Sequence, residues 1–480
     1  MIRMHRVVAW IAAVAAVFVC GASALAQETS TTRAMYDLAK PSLVAVKYTF
    51  TSELLSRDLT AAGIVVSDDG LVMIPIWGVT PLLVPDDQMK NFKIIIPSDT
   101  QDETEIDATL QGRDERSNVA FIRANSPQNW KAIKFLDVPV QIGQTLYSVG
   151  LLPKGSGYKA HVTTVTVSAH LRGPVPQILV DGNLAGAGAV VLDARGEAIG
   201  YVHPSSITEA FLDNPDDPEA IPMIVSPPRM YIPTIDFLQS LNDPPKPDKA
   251  LVIPWFGCMQ LKGLEKEEAE YYGLKNQPAI QIGDVVKDSP ADKAGLKPLD
   301  IIIKMNGQPL ERGDMPNELP EILTRKVQRL KVGDVITFST IHLRGDTPRD
   351  VMLTLAPRPP QVWSARRYYA KDLGFVVREV VFMDTYRRKM NPTTAGVAVE
   401  LLRPQAAAQA AKLARNDLIT QMNGKPVTDL DQFKKDYLQF RKDRPRDPVV
   451  LEVSKQDGRE ETINIEPPQN DTNTSGGTPP

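Results

Sequence analysis

The sequence predicts a mostly β protein, with a barrel pair or sandwich in its first half followed by a duplicated smaller module. Three observations carry that prediction. Short Val/Ile/Thr-rich runs alternate with turn residues from about Ser42 to Tyr201. The segment Ala294–Gly307 repeats as Ala411–Gly424, and Gly257 maps onto Gly374 with the same offset. Proline-rich stretches, Asn242–Pro247 and Pro357–Pro360, separate these parts as linkers. At 480 residues the chain exceeds one core, and a domain usually takes about 100–200 residues, so three domains are expected.

The N-terminus reads as a secretion signal. Arg3 and Arg6 precede an apolar run from Val7 to Val19, and Ala24-Leu25-Ala26 forms a small-residue cleavage site. Cleavage after Ala26 is preferred over a retained anchor, because the apolar run is short and small residues follow it. Lipidation at Cys20 is disfavoured by the bulk of Val19 before it. Loss of Arg3 and Arg6 makes the mature chain more negative than the formal −4 of the whole, and no basic run appears. A nucleic-acid partner is therefore not expected. Cys258 remains as the one mature cysteine, excluding an internal disulfide, and the histidines share no ligand spacing, so neither metal nor other cofactor is expected. The destination is read as the bacterial periplasm, with no integral membrane segment after cleavage.

Along the first half the expected strands are Leu43–Tyr48, Gly63–Val66, Leu71–Ile74, Phe92–Ile96, Val119–Arg123, Leu146–Val149, Val162–Val167, Ile178–Val180, Ala189–Leu192 and Ala198–Val202. Ser67-Asp68-Asp69-Gly70 is a hairpin turn. Pro204–Pro228 is an acidic, proline-rich insertion, Tyr231–Leu241 a closing helix, and Pro467–Pro480 a disordered tail. The domain boundaries follow as 1–26 for the signal, 27–245, 246–360 and 361–467 for three domains, and 468–480 for the tail.

Ser289-Pro290-Ala291-Asp292-Lys293-Ala294-Gly295-Leu296, with Asp300-Ile301 and Asn306-Gly307, resembles the signature of a PDZ domain; the second copy keeps Asp417, Leu418, Asn423 and Gly424 but has Lys412 for a glycine. PDZ domains are α+β modules that add an extended peptide to a sheet edge, and loop amides capture its carboxylate. By that resemblance Phe256, Gly257 and Cys258 form the first binding loop, with Leu319, Ile322 and Leu323 on the facing helix. Leu373, Gly374 and Phe375, with Leu430, Phe433 and Tyr437, are their counterparts. Asp372 is expected to repel a terminal carboxylate, with Arg366, Arg367 and Lys371 placed to offset it. The apolar helix positions equally suit plain core packing.

Residues 181–200 resemble the nucleophile segment of a trypsin-like serine protease. Together with the two PDZ-like copies, the chain from about 34 to 467 resembles the HtrA/DegP family: a trypsin-like double β-barrel followed by two PDZ domains. The resemblance implies a Ser-His-Asp triad and trimeric or larger assembly, with contacts around Met35-Tyr36-Asp37-Leu38. Each triad position departs from the pattern. Trp77 stands at the histidine position in Ala61–Val79, and indole has no basic nitrogen. Its ring is read as a plug of the cleft rather than a stacking surface. Asn118 stands at the acid position in Asp114–Ile122, and Ala187 at the serine position. Loss of the nucleophile alone costs roughly 10⁶-fold in a working triad.

The leading expectation is therefore a pseudoprotease. It would bind peptide C-termini or unfolded envelope proteins as a chaperone, adaptor or regulatory subunit, as a trimer or beside an active relative. Alternatives are a protease with a relocated nucleophile, using His203 or His170 with Ser205 or Ser206, and a structural scaffold with occluded grooves.

Overall fold

The computed structural model describes residues 30–75, 86–98, 103–203, 229–247, 251–275, 277–391 and 394–468. The signal segment, Trp77, the insertion with Ser205 and Ser206, and the tail lie outside them. The chain divides into two compact units: most of it up to Arg358 forms the first, and the second takes the chain from Pro359 together with Phe50–Arg57 and the 86–90 stretch.

The first barrel comprises β1 (Leu43–Thr51), β2 (Ser56–Ser67), β3 (Leu71–Pro75), β4 (Met89–Ile96), β5 (Thr104–Asp114) and β6 (Val119–Ala124), closed in the order β1-β2-β3-β6-β5-β4. The expected hairpin turn joins β2 to β3: the Gly70 amide donates to Ser67 O over 3.1 Å, with Gly70 at φ 82°. β5 is not apparent from hydrophobic runs, because it buries Ile106 and Ala108 on one face and gives polar residues to solvent on the other.

The second barrel comprises β7 (Thr145–Leu151), β8 (Ala160–Leu171), β9 (Gln177–Asp181), β10 (Val190–Leu192), β11 (Ala198–Tyr201) and β12 (Met230–Pro233), closed in the order β10-β11-β12-β9-β8-β7. The expected helix Tyr231–Leu241 is corrected here. Its first residues form β12, pairing Tyr231 with Ile178 and Ile232 with Tyr201. Tyr231 and Ile232 both bury, one to each side of the barrel wall, and Pro233 ends the strand with extended backbone. The α-helix is confined to Leu238–Asn242.

A shared core lies between the barrels, joining Ile64, Met73 and Phe121 to Val149, Val190 and Tyr201. Met35 and Ala39, from helix 30–39, also enter it, and Leu38 lies against Gly196. Met35 thus packs within its own chain.

The first module comprises β13 (Pro254–Trp255), β14 (Cys258–Met259), β15 (Lys262–Gly263), β16 (Ile280–Gln281), β17 (Asp284–Val285), β18 (Ile301–Met305), β19 (Gln308–Pro309), β20 (Val335–Ile341), β21 (Arg349–Thr354) and β22 (Ala356–Pro357), with the long helix Leu319–Gln328. The second comprises β23 (Arg367–Ala370), β24 (Phe375–Glu379), β25 (Val397–Leu402), β26 (Leu418–Met422), β27 (Lys425–Pro426), β28 (Val449–Ser454) and β29 (Glu460–Ile465), with the long helix Leu430–Asp443. That helix is capped by the Asp429 carboxylate, which accepts from the Gln432 amide.

The internal repeat extends to the hydrogen bonds. Val286 N donates to Gly257 O as Arg403 N does to Gly374 O, and Ala291 N to Phe256 O as Ala408 N does to Leu373 O. Asp300 and Asp417 each accept from an amide three residues earlier, Lys297 and Ala414. The glycine replaced by Lys412 leaves its conformation behind: φ is 80° at Gly295 and 67° at Lys412.

Candidate functional site

The segment expected to carry a nucleophile runs from β9 to β10. Gly186 (φ 98°) and Gly188 (φ 79°) adopt left-handed backbone on either side of Ala187, a path that L side chains disfavour. A Cβ at Gly188 would also collide with the Ala62 carbonyl of β2, so the loop lies directly against the first barrel. Gly188 N donates to Val202 O over 2.7 Å, and Val202 N to Ala189 O over 2.8 Å. The Ala185 amide donates to the hydroxyl of fully buried Ser148, 3.1 Å away on β7.

Asn118, expected at the acid position, closes the turn between β5 and β6 at φ 53°, a conformation that asparagine tolerates better than most residues. Its carbonyl accepts from the Tyr201 hydroxyl over 3.3 Å. Tyr201 in turn pairs with Val190, three residues beyond Ala187. Strand β11 therefore links the two expected positions across the barrel boundary. Trp77 lies outside the described residues. Burial raises the Tyr201 phenol well above its usual range, so the group stays a neutral donor.

His203 is buried beside this loop, its ring 6.2 Å from that of Tyr201 and edge-on to it. His170 is exposed on β8, where its Cα pairs with Ile178.

A buried polar cluster beneath the acid turn has no hydrophobic-run signal, and sequence reasoning missed it. Asp114 accepts from Arg116 Nε (2.9 Å) and Nη2 (2.7 Å) and from the Ser240 hydroxyl (2.7 Å). The Ser117 hydroxyl donates to Asp236 O over 3.1 Å. The fully buried Asp236 carboxylate receives Arg325 Nη2 at 3.0 and 3.1 Å and also Arg329, both from the helix Leu319–Gln328 and its end. Arg325 bonds Arg116 O as well, at 2.6 Å. The first module is thereby docked onto the turn that carries Asn118.

Among the residues expected to bind peptide, Phe256, Cys258, Leu319 and Leu323 are buried in the first module's core, and Ile322 is half-buried. Gly257 has φ 96°, and a Cβ there would meet Ser289, which caps the next helix through the Asp292 amide. Burial pushes the Cys258 thiol up to about 12. In the second module Leu373, Phe375, Leu430, Phe433 and Tyr437 all belong to the core. Gly374 has φ 78°, crowded by Ala406 and Arg403 of its own module.

The expected charge balance at Asp372 is corrected. Its oxygens accept from the Tyr437 hydroxyl (2.6 Å) and Arg441 Nε (2.7 Å). Arg366 is instead engaged by Glu379 and Asp431, and Arg367 lies 3.8 Å from Glu400.

Comparison with known proteins agrees with this architecture. The trypsin-like peptidase domain family matches residues 61–200, and the PDZ domain family matches residues 281–327. Curated relatives include a probable periplasmic serine endoprotease DegP-like from Marinomonas sp. (strain MWYL1), 26% identical over 392 residues, covering 79% of this chain and 74% of the relative. Another of the same name, from Hahella chejuensis, is 25% identical over 409 residues, covering 78% and 74%. Among solved structures, the HtrA-type protease AlgW with a decapeptide superposes with a TM-score of 0.50 at 18% identity, covering 69% of this chain and 99% of that one. With these DegP-like and HtrA-type proteins the chain shares a trypsin-like barrel pair, a PDZ domain and, with the curated relatives, about a quarter of its aligned residues.

Proposed function

We propose that this protein is a non-catalytic member of the HtrA/DegP family that binds extended or misfolded polypeptide in the bacterial envelope, as a chaperone, adaptor or regulatory subunit. The observation that carries the reading is the Ala185–Ser148 hydrogen bond beside Ala187. With Ala187 at the nucleophile position, one oxyanion amide belongs to Ala187 and the other to the residue two before it, Ala185. The second of these is already committed to a buried hydroxyl. A methyl group at 187 forms no acyl bond, and Asn118 offers no carboxylate to an imidazolium.

Polypeptide capture is assigned to the first module. β14 pairs with β17, and among the described residues no strand is paired to its other edge. Edge pairing supplies affinity from main-chain hydrogen bonds, and a glycine loop at Gly257 lets amides face a carboxylate. The envelope location rests on the Ala24-Leu25-Ala26 cleavage site and on relatives named periplasmic. Oligomerisation, as a homotrimer or with an active relative, is carried over from the family.

The test uses the full mature protein with three readouts: casein digestion, labelling by a serine-reactive fluorophosphonate, and anisotropy with a carboxymethylated unfolded protein. The expected result is saturable binding with neither digestion nor labelling. Labelling that disappears on Ser205→Ala or Ser206→Ala would establish the alternative, a protease with a relocated nucleophile. Absence of binding would remove the capture role.

A further inference from the structure

The two copies differ at the edge where a peptide would add. In the first module the residues ahead of the glycine loop pair elsewhere: β13 pairs with β22, the closing strand, and β14 has β17 as its one partner among the described residues. In the second, the residues ahead of the loop fold back. β23 pairs antiparallel with β24 in the register Arg367↔Arg378, Tyr368↔Val377, Tyr369↔Val376 and Ala370↔Phe375. β24 is also paired with β25, so both of its edges are used.

The side chains of β23 fill the space between that edge and the long helix. The Tyr368 ring is edge-on to Phe433 (centroids 6.3 Å apart) and Tyr437 (6.0 Å), with Lys434 Nζ 5.8 Å from its centroid. Arg367, one residue earlier, lies beside buried Glu400. The loop is equally committed. Gly374 N–H donates to Ala370 O over 2.8 Å, and the Asp372 carboxylate takes both Tyr437 and Arg441. An incoming carboxylate at this turn would meet an anion already bonded to the nearby donors.

We propose that residues 367–370 are a built-in ligand: the second module is a strand-addition site occupied in cis, and the segment that fills it defines what it accepts. That class is an extended internal peptide, not a free C-terminus, with an aromatic residue opposite Val377 against Phe433 and Tyr437, preceded by a basic residue near Glu400. The inference rests on reading the modules as strand binders and assigns first capture to the first module. A tethered segment competes at an effective concentration of about 1 mM, so a free peptide whose affinity is about 10 μM is held off on the order of 100-fold.

The test uses the full mature chain and a fluorescein-labelled, end-blocked synthetic copy of residues 365–371. Tyr368→Gly removes the anchor and weakens the strand. Binding to this variant should be on the order of 100-fold tighter than to the unaltered protein, with hydrogen exchange showing amides 375–379 newly protected. Equal binding by the two proteins overturns the proposal. Should the variant lose protection at 418–422 and 449–454, and so be unfolded, the unaltered protein decides. Excess peptide should then raise exchange at 367–370 while 375–379 stay protected; unchanged protection at 367–370 in millimolar peptide overturns it. These readouts are local to the second module, so their failure leaves capture by the first module standing, and the anisotropy and fluorophosphonate results bear on that separately.

Discussion

The backbone amide of Ala185 is held by the hydroxyl of Ser148, 3.1 Å away and fully buried. This bond makes a specific demand on any attempt to restore hydrolysis. The combined variant Trp77→His, Asn118→Asp and Ala187→Ser supplies three side chains and leaves the amide engaged. Its fluorophosphonate labelling rate should rise above that of the unaltered protein but stay limited by the engaged amide. Adding Ser148→Ala should raise that rate by about 10²-fold, the usual worth of one oxyanion donor.

Asp236 should be a costly single charge to remove. Its carboxylate is fully buried between Arg325 and Arg329, and truncation strands both guanidinium groups at the docking face of the first module. Breaking a buried pair from one side costs about 3–5 kcal/mol. Urea denaturation of Asp236→Ala should show a loss in that range. Arg172→Ala, which removes a largely exposed guanidinium from its pair with Asp314, should stay within about 1 kcal/mol of the parent.

The Cys258 thiol gives an alkaline signature. Burial raises it from 9.0 to about 12, so the folded state holds its proton where the unfolded state releases it. The resulting stability is complete below about pH 9 and declines as pH rises toward 12. Between pH 9 and 10 the parent should lose about 1 kcal/mol more than Cys258→Ala, measured by urea denaturation at each pH.

Leu299 sits at φ 72° with more than half its surface exposed. Left-handed backbone costs an L residue about 1–2 kcal/mol, partly offset by the entropy that glycine loses on folding. Leu299→Gly should therefore stabilise the first module by about 0.5–1 kcal/mol. Asn416, its counterpart at φ 66°, already suits the conformation, and Asn416→Gly should change stability by only a few tenths. Chemical denaturation of the two variants in parallel checks both.

Most of the fold was legible because its signals are local. The turn at Gly70 and the runs that became β1 to β3 each depend on a few adjacent residues. β5 and β12 were not: the first alternates too politely with polar residues, and the second, four residues long, is a strand only because β9 and β11 flank it. At the site, substitutions at 118 and 187 can be read from their motifs. The Ser148 bond, the Asp236 cluster and the pairing of β23 with β24 join residues far apart in the chain, and no single-sequence pattern encodes such meetings.

The parallel bonding of the two modules also says where the chain can be cut and rejoined. Val286 and Arg403 enter through the same bond to a loop glycine carbonyl, and Asn306 and Asn423 leave through amides donated to a neighbouring strand. Residues 286–306 and 403–423 are thus exchangeable parts with common fittings. A chimaera carrying either stretch in both places keeps every one of those junctions, whatever peptide each module prefers.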